Sequence, residues 1–180
     1  MSRALVVVDY QNDFASPDGA LSVSGGDAIA GRINELMRSG DYDLVVATRD
    51  WHPPDHGSFT DQGGIWPVHC VQDGDGAQLH PALDARAVDE IVDKGQDRAT
   101  EGYSGFDGTR LAELLRERGV DRVTVVGLAT DYCVKHTALE ALQEGFAVTV
   151  DTAAVRGVDV EPGDSDRALA ELRAAGAVMA

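Results

Sequence analysis

Short apolar runs that each close on a polar residue constrain this chain more than any other feature. Leu5–Val8 closes on Asp9, and Leu44–Thr48 on Arg49-Asp50. Glu90–Asp93, shorter and less apolar, closes on Lys94-Gly95, while Val123–Gly127 leads through a tight turn to Cys133. Ala147–Val150 ends at Asp151, and Ala177–Met179 forms a last short run. Runs of this length, rich in β-branched residues, are expected as strands covered on both faces of a parallel sheet. Amphipathic segments alternate with them. Asp27–Arg38 gathers Ile29, Ile33, Leu36 and Met37 near one face before Ser39-Gly40 stops it, and Gly108–Arg118 turns Leu111, Leu114 and Leu115 inward before Gly119. Further helices are expected from Cys133 to about Gln143 and over Ser165–Ala175. The alternation predicts an α/β fold, a three-layer α/β/α sandwich around a central, mainly parallel six-stranded sheet, with residues 1–180 as a single domain. In such folds ligands bind outside the carboxyl ends of the strands. That rule brings Asp9, Asp50, Lys94 and Cys133 to one rim.

The stretch from Val125 to Val134 (VVGLATDYCV) is read as a strand end, a turn and a helix start. Thr130 or Asp131 can cap that helix with a side-chain oxygen. The Cys133 sulfur then lies at the positive end of a helix, which lowers a thiol pKa. The alternative is a small core residue, because free cysteine is among the most buried residue types.

Between Trp51 and Leu83 no regular element is evident, although this segment holds Pro53, Pro54, Pro67 and Pro81 and the histidines 52, 56, 69 and 80. A long irregular segment in a compact domain more often carries function than not. Asp50, His52, His56 and His69 offer one oxygen and three nitrogens, a donor set suited to a divalent transition metal such as Zn, Fe or Mn. The alternative is a histidine-rich surface loop. His80 reads as structural and Asp55 as a solvated loop residue.

Asp9, Lys94 and Cys133 form a second constellation of carboxylate, ammonium and thiol. A carboxylate with a raised pKa can take a thiol proton, and a lysine beside both would stabilise the two anions. His136 is a rival base one helical turn beyond Cys133, further from the rim. Cys70 lacks a helix N-terminus and reads as a buried thiol.

The formal charge of −16 leaves few phosphate-binding cations, which argues against nucleic acid and anionic membranes as partners. The opening apolar run ends at Asp9, too short for a signal segment or a bilayer span, and two cysteines make no disulfide framework. A reducing cytoplasmic setting is expected.

At these residues the chain resembles the nicotinamidase/pyrazinamidase group of the isochorismatase-like cysteine hydrolases. The resemblance rests on Val8–Phe14 (VDYQNDF), on Asp50-x-His52-x-x-x-His56, on Trp66-Pro67-x-His69-Cys70, on Lys94-Gly95 and on Gly127–Val134. It implies a catalytic triad of Asp9, Lys94 and Cys133 and metal ligands Asp50, His52, His56 and His69. It also implies ring-stacking residues Phe14 and Trp66 in a pyridine pocket, with Tyr103 and Leu128 beside them. A cis peptide is implied at Leu128-Ala129, with an oxyanion hole built from the N–H groups of Ala129 and Cys133. The implied reaction is hydrolysis of nicotinamide to nicotinate and ammonia through a thioester, in NAD salvage, with pyrazinamide as a side substrate. Another small-amide or carbamoyl hydrolase of the superfamily, or a non-catalytic module binding metal or nicotinamide, remains as an alternative, and a homo-oligomer stays open.

Overall fold

The computed structural model describes residues 1–180. Six strands form one sheet: β1 (Ser2–Val8), β2 (Leu44–Asp50), β3 (Glu90–Lys94), β4 (Val120–Leu128), β5 (Ala147–Arg156) and β6 (Val178–Met179). Their spatial order is β3-β2-β1-β4-β5-β6, and every adjacent pair is parallel. Alternate side chains of the central strands feed two separate cores. Val6, Val8, Val46, Val123 and Val125 join Leu111, Leu114, Leu115, Ala138 and Leu172 on one face. That core belongs to helices α3 (Leu111–Glu117), α4 (Lys135–Gln143) and α5 (Asp164–Ala175). Leu5, Val7, Val45, Ala47 and Val126 face the other way, against Phe14, Ile29, Ile33 and Met37. The short helix α1 (Asn12–Ala15) and helix α2 (Ala30–Arg38) supply much of that layer. The result is the expected three-layer sandwich, with an apolar layer on each side of a parallel sheet. No helix is long and apolar enough to cross a membrane.

The chain starts in the middle of the sheet, builds outward through β2 and β3, and then returns to the far side of β1 with β4. The reversal opens a crevice at the carboxyl ends of β1 and β4, where α/β sheets bind their ligands. The two strands approach closely there because Gly127, paired with Val8, has no side chain. Its φ is +111°, and a Cβ would stand 2.1 Å from the Val8 carbonyl oxygen.

Several local expectations are corrected. Strand β5 continues past Val150 to Arg156, through an irregularity that pairs Val125 with Val150 and then Gly127 with Val155. Asp151 therefore lies within the strand, buried, where Arg32 of α2 binds it at 2.7 Å. Helix α4 does not open at Cys133. Residues Thr130–Val134 form a wider turn closed by Val134 N–H donating to Ala129 O, and the α-helix begins at Lys135. Neither Thr130 nor Asp131 caps it. The Asp131 carboxylate accepts instead from the N–H groups of Val158 and Asp159 in the loop after β5. The segment from Trp51 to Leu83 is also less irregular than expected, with 3-10 turns at Thr60–Gln62 and Asp75–Ala77.

Gly127→Ala should lower stability by about 2–3 kcal/mol, because it adds a backbone clash to a disfavoured φ. Gly119 also has a positive φ, +65°, but open space at its Cβ position, so Gly119→Ala should cost only about 1 kcal/mol. Urea denaturation midpoints compare the two. Equal losses would contradict the close approach of β1 and β4 as the reason for glycine at 127.

Candidate active site

The ends of β1, β2 and β3 and the turn after β4 meet at one ammonium group. Lys94 is 1% exposed, and its Nζ donates to Asp50 Oδ1 at 2.6 Å, to Gly102 O at 2.8 Å and to Cys133 Sγ at 3.4 Å. Asp9 Oδ2 lies 2.9 Å from the same nitrogen. Asp9 Oδ2 is thus paired with this ammonium by charge, without an aligned hydrogen bond. The remaining oxygen, Asp9 Oδ1, accepts from the Thr48 hydroxyl at 2.7 Å. Asp9 itself is held in the left-handed region at φ +48°, with its N–H donating back to Thr48 O at 3.2 Å.

Burial dominates the acid–base properties of this cluster. It raises the Asp9 carboxyl above the usual range, against the pull of Lys94. Burial also pushes the Cys133 thiol well above its ordinary value, and the neighbouring ammonium only partly offsets this. A helix end alone would lower the thiol pKa, the opposite of what burial does here. The complete desolvation of the sulfur, not the local dipole, sets the sign. Burial works against the charge on Lys94, but Asp50 and Asp9 outweigh it and raise its pKa well above the ordinary value. Against the effect of burial, Lys94 and His52 hold the Asp50 carboxyl well below the usual range. The resting cluster is thus an ammonium, an ionised Asp50 and a protonated thiol beside the Asp9 carboxyl.

Asp50 faces two ways. Its Oδ2 lies 3.4 Å from His52 Nε2 and 3.9 Å from His69 Nε2. His56 stacks on His52 with ring centroids 4.0 Å apart. Each imidazole engages its Nδ1: His52 with Gly95 O, His56 with the Ser58 hydroxyl and His69 with Pro67 O, all at 2.7 Å. The Nε2 atoms are thereby left to face inward, the arrangement that metal-ligating histidines adopt. His56 Nε2 is buried with no partner at all. Burial lowers the pKa of His56 and of His69, which keeps both rings neutral. An orphaned buried nitrogen beside two further imidazoles and a carboxylate fits a divalent transition ion. Among these groups Asp50, His52 and His69 already bring a ligand atom within 4.8 Å of one another.

Cys133 of the first cluster and Asp50, His52 and His69 of the second open into one cleft of about 460 Å³, counted out to its mouth, while Asp9, Lys94 and His56 do not line it. Phe14, Trp66, Tyr103, Leu128 and Ala129 line it, together with Cys133, Asp50, His52 and His69. Trp66 Nε1 donates to the Tyr103 hydroxyl at 3.0 Å, and the Phe14 ring lies 5.5 Å from that of His69. The peptide between Leu128 and Ala129 is cis. The Ala129 N–H has no acceptor in the protein. Leu21, Val23, Ser58, Glu101, Tyr132 and Val158 also face the cleft and were not anticipated. Nor was Gln11, which is fully buried and clamps β2 by accepting from Asp50 N–H while donating to Asp50 O, both at 2.8 Å. A glutamine following Asp9-Tyr10 was the available signal for it.

The residues set aside on sequence lie elsewhere. His136 stacks behind Tyr103 at 5.2 Å and does not line the cleft. His80 stands edge-on to Tyr10. Asp55 pairs with Arg98 at 3.0 Å on the surface. Cys70 is fully buried, its N–H bound by Asp13 at 2.8 Å.

A model of the isochorismatase domain matches residues 3–180. The chain belongs to that family. Within it, the chain is 42% identical to a nicotinamidase of Escherichia coli, over 98% of this chain and 93% of that one. The pyrazinamidase of Pyrococcus horikoshii, solved in complex with zinc, superposes with a TM-score of 0.91 at 46% identity, covering 100% of this chain and 99% of the other. PnC1 from L. infantum, solved in complex with nicotinate, superposes with a TM-score of 0.95 at 38% identity, covering 99% and 92%.

The buried thiol makes a prediction about reactivity. Alkylation by iodoacetamide should be confined to Cys133, because Cys70 has no path to solvent. Its rate should still climb about tenfold per pH unit at pH 9, since the raised pKa keeps the thiolate a minor species there. Mass spectrometry of the labelled peptides against pH checks both points. A rate that levels off below pH 8.5 would contradict the dominance of burial over Lys94.

Proposed function

We infer that this protein is a nicotinamidase, an amidohydrolase that converts nicotinamide to nicotinate and ammonia. The observation that carries the reading is the buried Asp9–Lys94–Cys133 cluster opening onto an apolar cleft that also displays the Asp50 and histidine donors. The nicotinamidase of Escherichia coli and the nicotinate-bound structure support this substrate in particular. Pyrazinamide keeps the flat nitrogen ring and the carboxamide, so it is a second substrate of the same cleft.

In the proposed mechanism, Asp9 Oδ2 takes the proton of the Cys133 thiol as Sγ attacks the carboxamide carbon. Burial has raised Asp9, which makes it a better base than an exposed carboxylate. The oxyanion of the tetrahedral adduct is placed at the free N–H of Ala129, with that of Cys133 beside it. Protonated Asp9 then gives its proton to the leaving nitrogen, the C–N bond breaks, and ammonia departs to leave a thioester. Water attacks that carbonyl with its proton passing to Asp9. The C–S bond breaks, the sulfur recovers a proton from Asp9, and the acid is released, giving up its remaining proton to water to become nicotinate. Lys94 holds the thiolate and Asp9 at a fixed spacing and offsets their charge. The Phe14, Trp66 and Tyr103 rings hold the pyridine by stacking and edge contacts and keep bulk water from the sulfur.

Asp50, His52, His56 and His69 would hold one divalent ion, zinc being the species in the Pyrococcus relative. Such an ion supplies a Lewis acid to which a pyridine nitrogen can be anchored. Iron and manganese suit the same donors.

Wild-type protein should release ammonia from nicotinamide, and Cys133→Ala should release none while still binding the amide. Asp9→Asn should reduce kcat by about 10²–10⁴, the usual contribution of a positioned acid–base group. Ammonia production at a normal rate by Cys133→Ala would sink the nucleophile assignment. Stripping divalent ions with a chelator should abolish turnover, and zinc should restore it. His56→Ala should weaken zinc binding by at least the ~10–100-fold that loss of a supporting contact costs such sites. Zinc titration followed by calorimetry reads that loss directly, and an unchanged affinity would remove His56 from the ligand set.

A further inference from the structure

One carboxylate in the wall of the cleft belongs to neither cluster. Glu101 lines the cleft yet is exposed, in the loop between β3 and α3. The other wall carboxylate, Asp50, is committed to Lys94 and the histidines. No cation pairs with Glu101, whose carboxylate stands at the Tyr103 hydroxyl. Arg98, three residues before it, pairs with Asp55. Lys135 and Arg167, which border the neighbouring polar cleft behind Tyr103 and Tyr132, pair with Glu171 and Asp164. The Glu101 charge also reaches the Tyr103 hydroxyl, adding to the burial that raises that phenol to about 12. An uncompensated negative charge therefore stands beside an aromatic wall of the cleft, at its solvent side.

The geometry points to Glu101 as a specificity-determining residue that favours the neutral amide over the carboxylate product. This rests on the nicotinamidase reading. Substrate and product have nearly the same shape and differ chiefly in charge, so stacking on Phe14, Trp66 and Tyr103 cannot tell them apart. A fixed negative charge can. It exerts no net Coulomb force on nicotinamide and repels nicotinate, and the same repulsion disfavours small amides that carry a carboxylate of their own. Across a solvent-exposed mouth, where the dielectric is close to that of water, such a repulsion amounts to about a threefold difference in affinity. Because the mouth is open to solvent, salt should erode it.

The test is titration of nicotinamide and of nicotinate into zinc-loaded protein on the Cys133→Ala background, where neither ligand turns over. Replacing Glu101→Gln should tighten nicotinate relative to nicotinamide by about threefold, and Glu101→Lys should tighten it further. Both shifts should shrink at high salt. Asp121→Asn makes the same change of charge at the opposite end of β4, where Asp121 is exposed, and should leave the ratio unmoved. A ratio unchanged in Glu101→Gln, an equal shift in Asp121→Asn, or no nicotinate binding in any variant would each overturn the inference. The ammonia assay on the wild-type protein reports separately on the nicotinamidase reading, so the two can fail independently.

Discussion

The buried ammonium of Lys94 is the contact on which the rest of the site depends. A desolvated cation survives only where anions and carbonyls surround it, and losing one side of such a pair costs about 3–5 kcal/mol. Asp9 at the end of β1, Asp50 at the end of β2 and the Gly102 carbonyl after β3 meet that need. Each comes from a different segment, so satisfying the one charge fixes three segment ends relative to one another. The fourth neighbour, Cys133, is brought in by the turn after β4, which can approach β1 because Gly127 lies against Val8. The position of the sulfur is in this sense a consequence of how the sheet reverses direction.

Much of this was legible in the sequence for a simple reason. Strand ends in a parallel sheet all point the same way, so polar residues closing apolar runs must share a rim. Asp9, Asp50, Lys94 and Cys133 needed no further information to be grouped. The histidines could be grouped by their density in a proline-rich segment, although nothing in the spacing of His52 and His56 foretold that their rings would stack. What escaped was set by contacts distant in sequence. Asp131 has the composition of a helix cap, yet its carboxylate is taken by backbone N–H groups of Val158 and Asp159. Local propensity cannot anticipate that competition. Thr48 closes the apolar run of β2 in sequence, and only the pairing of β2 with β1 puts its hydroxyl on Asp9. The Asp151 carboxylate, where the apolar run stops, is compensated inside β5 by Arg32 of α2, a partner 119 residues away in sequence. The sign of the Cys133 shift was missed because burial is a property of the whole fold, whereas the helix end is a local one.

Asp50 makes the two halves of the site one electrostatic unit. One oxygen receives the Lys94 hydrogen bond that orders the thiol and Asp9, and the other faces the imidazoles. The buried core of the unit sets two carboxyl groups around one ammonium, with the sulfur protonated. It carries two buried polar atoms with no hydrogen bond, Asp9 Oδ2 and His56 Nε2. They lie at opposite ends of the unit and suit different cations. Asp9 Oδ2 stands beside the thiol and the ammonium, where a proton transferred from sulfur is the natural occupant. His56 Nε2 stands among further nitrogen donors, and burial disfavours an imidazolium at His56 itself, so a transition ion suits that position better than a proton. A low-dielectric site of this kind strengthens both attractions at once. The burial that makes the thiol a weak acid at rest is therefore also what makes Asp9 an effective acceptor for its proton when the amide arrives.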